Sequence, residues 1–267
     1  MNARVSARLK VACTVSAAAL AAFWLLPVGS AVWATTAVAF AAAVWLGVQI
    51  VSPRSQQIVP TVFRLPEGTT HLALTFDDGP DPEITPQVLD LLAEHGMQAT
   101  FFVVGCRADA HPELVRRIHQ GGHQLGSHSH GHGHGFHFLP ATAMAAEIER
   151  GIASIVAITG ERPRAFRPPV GLRVPTLAKA LARLPERPTC YTWTERGLDT
   201  LGRPAHAIVE RLRPHLVPGA ILTLHDGAGF GGSRERSATV AALRELLGLL
   251  RERGLCSRRL DAPIAVR

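Results

Sequence analysis

The chain has little cysteine and little charge. Its four cysteines, Cys13, Cys106, Cys190 and Cys256, show no C-x-x-C spacing, so neither a disulfide framework nor a zinc ribbon is supported. Charged residues make up 18% of the 267 residues and hydrophobic ones 47%, and the shortfall is local. No charged residue stands between Val11 and Val51. The formal charge is +7, yet the arginines are scattered, and no basic run is interleaved with aromatics as a nucleic-acid stacking surface requires. The excess reads as a solvated basic surface. Nucleic acid is not an expected partner, and nothing marks a protein partner.

Residues 1–51 read as a membrane anchor. Arg4, Arg8 and Lys10 precede two apolar pieces, 11–26 and 31–51, which Pro27, Val28, Gly29 and Ser30 separate. The second piece is long enough to span a hydrocarbon core of about 30 Å as a helix, and the first is at the short end of that range. A transmembrane helical hairpin is the simplest account, multi-pass in a bacterial-type inner (cytoplasmic) membrane, with Trp24, Trp33 and Trp45 near its interfaces. Positive charge before the first helix and Arg54 after the second place the main domain on the cytoplasmic face. A signal peptide is the alternative for the first piece, and it still leaves the second as an anchor. Residues 52–70 hold three prolines and no clear periodicity, so they read as a linker to a domain over 71–267.

Within that domain, strand-like and helical runs alternate. Strands are expected at 71–76, 99–104, 124–127, 165–167, 189–193 and 220–224. Helices are expected at 85–95, with Thr85 as N-cap and Pro86 at its first position, and at 112–120, 141–158, 174–184, 205–216 and 236–253. The alternation predicts an α/β domain with a largely parallel sheet, open or closed into a barrel. In both architectures function gathers where strands end.

Four motifs stand at such ends. Thr75-Phe76-Asp77-Asp78-Gly79-Pro80 sets two carboxylates side by side, which is costly without a metal or an arginine beside them, although an Asp-Gly-Pro turn needs neither. His128-Ser129-His130-Gly131-His132 follows, in a stretch rich in histidine and glycine. One helical turn would point His128 and His132 the same way, and two imidazoles plus a carboxylate make a divalent-metal site with open positions. His130 and His134 share that spacing, so composition alone does not select the pair. Phe166-Arg167-Pro168-Pro169-Val170-Gly171 could hold a guanidinium and a backbone N–H in place, and it also reads as an ordinary Pro-rich loop. Finally, the apolar run at 221–224 delivers His225 and Asp226 to its end.

In this order, TFDDG, H-S-x-x-H, R-P-P-x-G and L-H-D resemble the polysaccharide deacetylase family with the NodB-type catalytic domain, over roughly residues 71–260. Gly122-His123-x-x-Gly126 sets the histidine register on His128 and His132. The resemblance implies a distorted (β/α)7 barrel and a divalent metal, zinc or a similar ion. By position, it implies Asp78, His128 and His132 as metal ligands, Asp77 as general base and His225 as general acid. Arg167 would pair with Asp77, Asp199 would orient His225, and the Val170 N–H would help hold the oxyanion. The expected substrate is an N-acyl, first of all N-acetyl, amino sugar in a polysaccharide or a lipid-linked glycan. A deformylase, a silent glycan-binding barrel and a histidine-rich metal-sequestering protein are the alternatives. Three positions depart from the family pattern: Val170 replaces a tyrosine, and Arg196 and Thr200 replace the aspartate and tryptophan of D-x-x-D-W.

Overall fold

Seven short strands form one parallel sheet in the computed structural model, which describes residues 28–228 and 236–261. At its centre β1 (Ala73–Asp77) pairs with β2 (Ala99–Val103) on one side and with the last strand, β7 (Ile221–His225), on the other. Outside β2 lie β3 (Gln124–Ser127), β4 (Ala165–Phe166) and β5 (Thr189–Cys190), and outside β7 lies β6 (Glu195–Arg196). The expected seven strands are thus present, curled into a half-barrel with β5 and β6 at its edges. The sixth strand escapes a periodicity reading because it is two residues long.

Both faces of β1 and β2 are buried, which is why ALTF and ATFFV read as unbroken apolar runs rather than alternating ones. Amphipathic helices close over the sheet: α2 (Ile84–Glu94), α4 (Pro112–Gln120), α5 (Ala141–Thr159), α6 (Pro175–Leu181), α7 (Ala205–Leu212) and α8 (Ser237–Glu252). A short helix, α3 (Gly105–Ala110), follows β2, where no helix is expected from periodicity. Phe76 and Leu74 meet Val88, Phe101, Leu222, Leu243 and Leu246 in the main core. Each such burial contributes about 1.5–3 kcal/mol. A second cluster sets α5 and α6 against Phe166 of β4.

Two local expectations change. Thr85 does not cap α2 but lies inside it, and Asp81 Oδ1 accepts from the Glu83 and Ile84 N–H groups instead. The freed Thr85 hydroxyl donates to Asp226 Oδ2 at 2.7 Å. At the other extreme of the chain, α1 (Val28–Val51) already includes Val28–Ser30, so the expected hairpin turn at those residues is helix. The first apolar piece, 11–26, lies outside the described residues, and the hairpin and multi-pass arrangement have no structural support. Over Val32–Val51 the mean hydropathy is 1.8 and none of the segment is buried, so this helix is long and apolar enough to cross a membrane.

Residues 52–70 have no helix or long strand, but they are not detached. Val62 bridges to Tyr191 and Arg64 to Ala220, and Val59 and Leu65 are buried. Single bridges leave no periodic trace in a sequence.

Candidate active site

The C-terminal ends of the strands converge on a cavity of about 280 Å³ lined by Asp77, Asp78, His128, His132, Val170, Trp193, Arg196 and His225, with Leu198, Thr200, Leu201 and Thr223. β1 ends on Asp77, and Asp78 follows with φ 72, a left-handed conformation that turns its carboxylate away from the strand. The Asp78 Oδ1 atom lies 3.4 Å from His128 Nε2 and 3.1 Å from His132 Nε2. The two imidazoles do not ride on a helical turn as the spacing implied. Residues 128–132 are irregular, and positive φ values at Ser129 (66) and His132 (47) bring the rings to 4.8 Å between centroids. A loop bent through the left-handed region achieves what one turn of helix would have.

These three groups fit a divalent ion. Their ligand atoms lie within 4.8 Å of one another. The His128 Nδ1 atom lies 2.7 Å from the Arg167 carbonyl, to which it donates, so its Nε2 lone pair points at the shared position. Burial, with help from His128, pushes His132 down to about 3, which keeps the imidazole neutral, the form a metal ligand needs. Burial alone would raise the Asp78 carboxyl, but His128, His225 and His132 outweigh it and hold it well below the usual range.

Arg167 is fully buried beneath the cavity. It donates from Nη1 to Asp77 Oδ1 at 2.7 Å and to Thr75 Oγ1 at 2.8 Å, from Nη2 to the Thr192 carbonyl at 2.8 Å, and stacks 4.1 Å over Phe102. One Asp77 oxygen is therefore fixed. On the opposite wall, His225 Nδ1 meets Asp199 Oδ1 at 2.8 Å, while its backbone N–H and Thr239 Oγ1 hold Oδ2 at 2.9 Å each. Burial works to lower the His225 pKa, but Asp199, then Asp78 and Asp77, raise it to about 9. A 3-10 turn at Pro169–Gly171 puts Val170 at φ 56, strained for a β-branched residue, with its side chain exposed at the mouth.

All eight residues that the family resemblance implies surround this one cavity or hold a residue that does. Trp193 was not anticipated. A Cβ on Gly171 would meet its ring at 2.2 Å, so the glycine of R-P-P-x-G makes room for an indole wall. Asp226, of L-H-D, was also unassigned. It is buried against Gly79 and Thr85, and burial raises its carboxyl to about 7. Arg196 lines the cavity with its guanidinium 5.4 Å from the Trp193 ring, and no carboxylate pairs with that side chain among the described residues.

An Asp–His–His group that could hold a metal ion, beside a carboxylate–arginine pair and a carboxylate–histidine pair, is an arrangement suited to a metal-assisted hydrolase. The family model for polysaccharide deacetylases matches residues 60–188. A peptidoglycan-N-acetylglucosamine deacetylase of Bacillus cereus is 31% identical over 205 residues, covering 74% of this chain and 92% of the relative. A chitooligosaccharide deacetylase of Sinorhizobium fredii is 35% identical over 210 residues, covering 75% and 94%. Among solved structures, the Bc1960 peptidoglycan N-acetylglucosamine deacetylase aligns with a TM-score of 0.67 at 29% identity, covering 74% of this chain and 89% of its own. The chain belongs to the polysaccharide deacetylase family and is a deacetylase-like hydrolase of carbon–nitrogen bonds.

Proposed function

We propose that the chain hydrolyses the N-acetyl amide of an amino sugar, with Asp78, His128 and His132 holding a divalent ion, zinc in this reading, that polarises the acyl oxygen and activates a water. The chain's own residues do the rest. Arg167 occupies one Asp77 oxygen, which leaves the other to accept the proton of the attacking water. His225 is anchored through Nδ1, so Nε2 is the atom that returns a proton to the departing amine. Its raised pKa keeps it protonated at neutral pH, the state a general acid needs. The N–H of Val170 serves the developing oxyanion. Trp193 walls one side against water, and the departures at Val170, Arg196 and Thr200 shape the sugar's surroundings rather than the reaction.

One observation carries this reading: a carboxylate base, a histidine acid and a metal-ligand triad share one cavity. Full-length protein loaded with divalent metal is expected to release acetate from N-acetylated chitooligosaccharides or peptidoglycan fragments. Asp77→Asn is expected to lower kcat by a factor of about 10² to 10⁴ at unchanged metal content, read by acetate assay and metal analysis. Acetate release unaffected by that substitution would remove Asp77 from its role.

A further inference from the structure

The membrane-crossing helix does not hang from the barrel on a loose tether. Its last carbonyls, orphan acceptors at any helix C-terminus, are taken by Arg173. Arg173 is buried and donates from its backbone N–H to the Ile50 carbonyl at 3.2 Å and from Nη2 to the Gln49 carbonyl at 3.3 Å. Its Nη1 reaches the Ser55 carbonyl at 2.6 Å, and Thr192 Oγ1 donates to the Pro53 carbonyl at 2.7 Å. Arg173 follows β4 and Thr192 follows β5, so α1 is fastened to the end of the barrel that carries the active site. Arg173 lies in the loop that bears Arg167 and Val170.

The same end is apolar where it meets solvent. Outside α1, the exposed large apolar side chains among the described residues are Phe138 (89%), Leu201 (66%), Val170 (52%) and Val217 (37%). The first three stand in loops that follow β3, β6 and β4, around the mouth, whereas Val217 precedes β7 at the opposite end. Phe138 is near the anchor: Val59 and Ile58, a few residues beyond α1, pack in one cluster with Phe136 and Leu139 on either side of it. Arg54, exposed just past α1, suits the headgroup region.

We propose that the mouth of the active site lies against the bilayer, with Phe138 entering the lipid interface, and that the amino sugar it takes is carried by a membrane-anchored glycolipid. This rests on the deacetylase reading above. A wall polymer at a distance would call for a spacer between α1 and the barrel, and here the helix end is itself clamped to the barrel.

The test uses the full chain in nanodiscs, with two N-acetylglucosamine substrates: one lipid-anchored, one a water-soluble tetramer. The lipid-anchored sugar is expected to be cleaved with kcat/KM about tenfold higher or more, and Phe138→Asp to lower that value about tenfold while leaving the soluble tetramer within about twofold. A photoreactive benzoyl group on residue 138 should cross-link to lipid, whereas the same group at position 94, at the far end of α2, should not. Equal cleavage of both substrates, or no lipid adduct at residue 138, overturns the proposal. Acetate from the tetramer without an adduct defeats only this inference. Acetate from neither substrate defeats the deacetylase reading and the glycolipid assignment with it, while the adduct still reports which way the mouth faces.

Discussion

At the N-terminal end of the barrel a cavity of about 670 Å³ lies among His119, His123, Arg162, Arg164, Arg259 and Asp261, while the one at the C-terminal end measures about 280 Å³. The larger is rich in charge, but most of that charge is already matched. Arg162 grips Glu149 with two bonds of 2.8 and 2.7 Å, and Arg259 meets Asp261 at 3.1 Å. His123, pushed down to about 4 by burial and then by Arg259, accepts from the Ala99 N–H. In the smaller cavity, two histidines share one Asp78 oxygen, and adjacent carboxylates face a raised histidine. Groups that satisfy one another mark architecture, and ligand atoms that converge on one position mark chemistry. Volume does not distinguish the two ends.

The sharpest way to break this contrast is to remove a ligand at the small end. His132→Ala is expected to abolish metal retention and reduce acetate release by a factor of about 10³ or more, checked by metal analysis after dialysis. Next in size, Asp199→Asn deletes the largest influence that raises His225, so the histidine loses its proton at lower pH than in the wild type. The alkaline limb of kcat/KM should move down the pH scale, with kcat lower by about tenfold and metal content unchanged. A smaller effect comes from Val170→Gly, which relieves the φ of 56 and is expected to stabilise the fold by about 1 kcal/mol, seen as a rise in melting temperature. At the large end, Arg164→Ala should change activity by less than about twofold and stability by no more than about 0.5 kcal/mol, since Arg164 is an exposed side chain. A strong loss of activity there would undo the comparison.

Much of the small cavity was legible because its residues sit at strand ends, and strands buried on both faces announce themselves as apolar runs. TFDDG and L-H-D follow β1 and β7, which are neighbours with Asp77 opposite His225 in register. Periodicity brings each to the end of its strand but does not pair the strands, and the family resemblance supplied that adjacency. The histidine pair was legible in identity and wrong in conformation, because positive φ at a serine and a histidine has no compositional signature. Trp193 was hidden because its place depends on a contact with Gly171 across the fold. Nothing in the sequence singles out Arg173, since the carbonyls it serves belong to residues more than a hundred positions earlier. The sequence could not show that residues 52–70 join the barrel wall, because isolated bridges repeat nothing.

That last stretch has a practical consequence for anyone cutting the protein down. Ala220 leads directly into β7, next to one margin of the half-barrel, and the other margin continues from β5 into Tyr191. Between them runs the short passage that holds Val62 and Arg64, with Leu65 N–H bonded to the Gly219 carbonyl at 2.8 Å. A soluble fragment begun at His71 would leave those backbone groups open and uncover Cys190 and Tyr191, inviting strand-to-strand aggregation. A cut placed just after Val51 keeps the seam closed, and the trimmed protein should stay monodisperse where the shorter one precipitates.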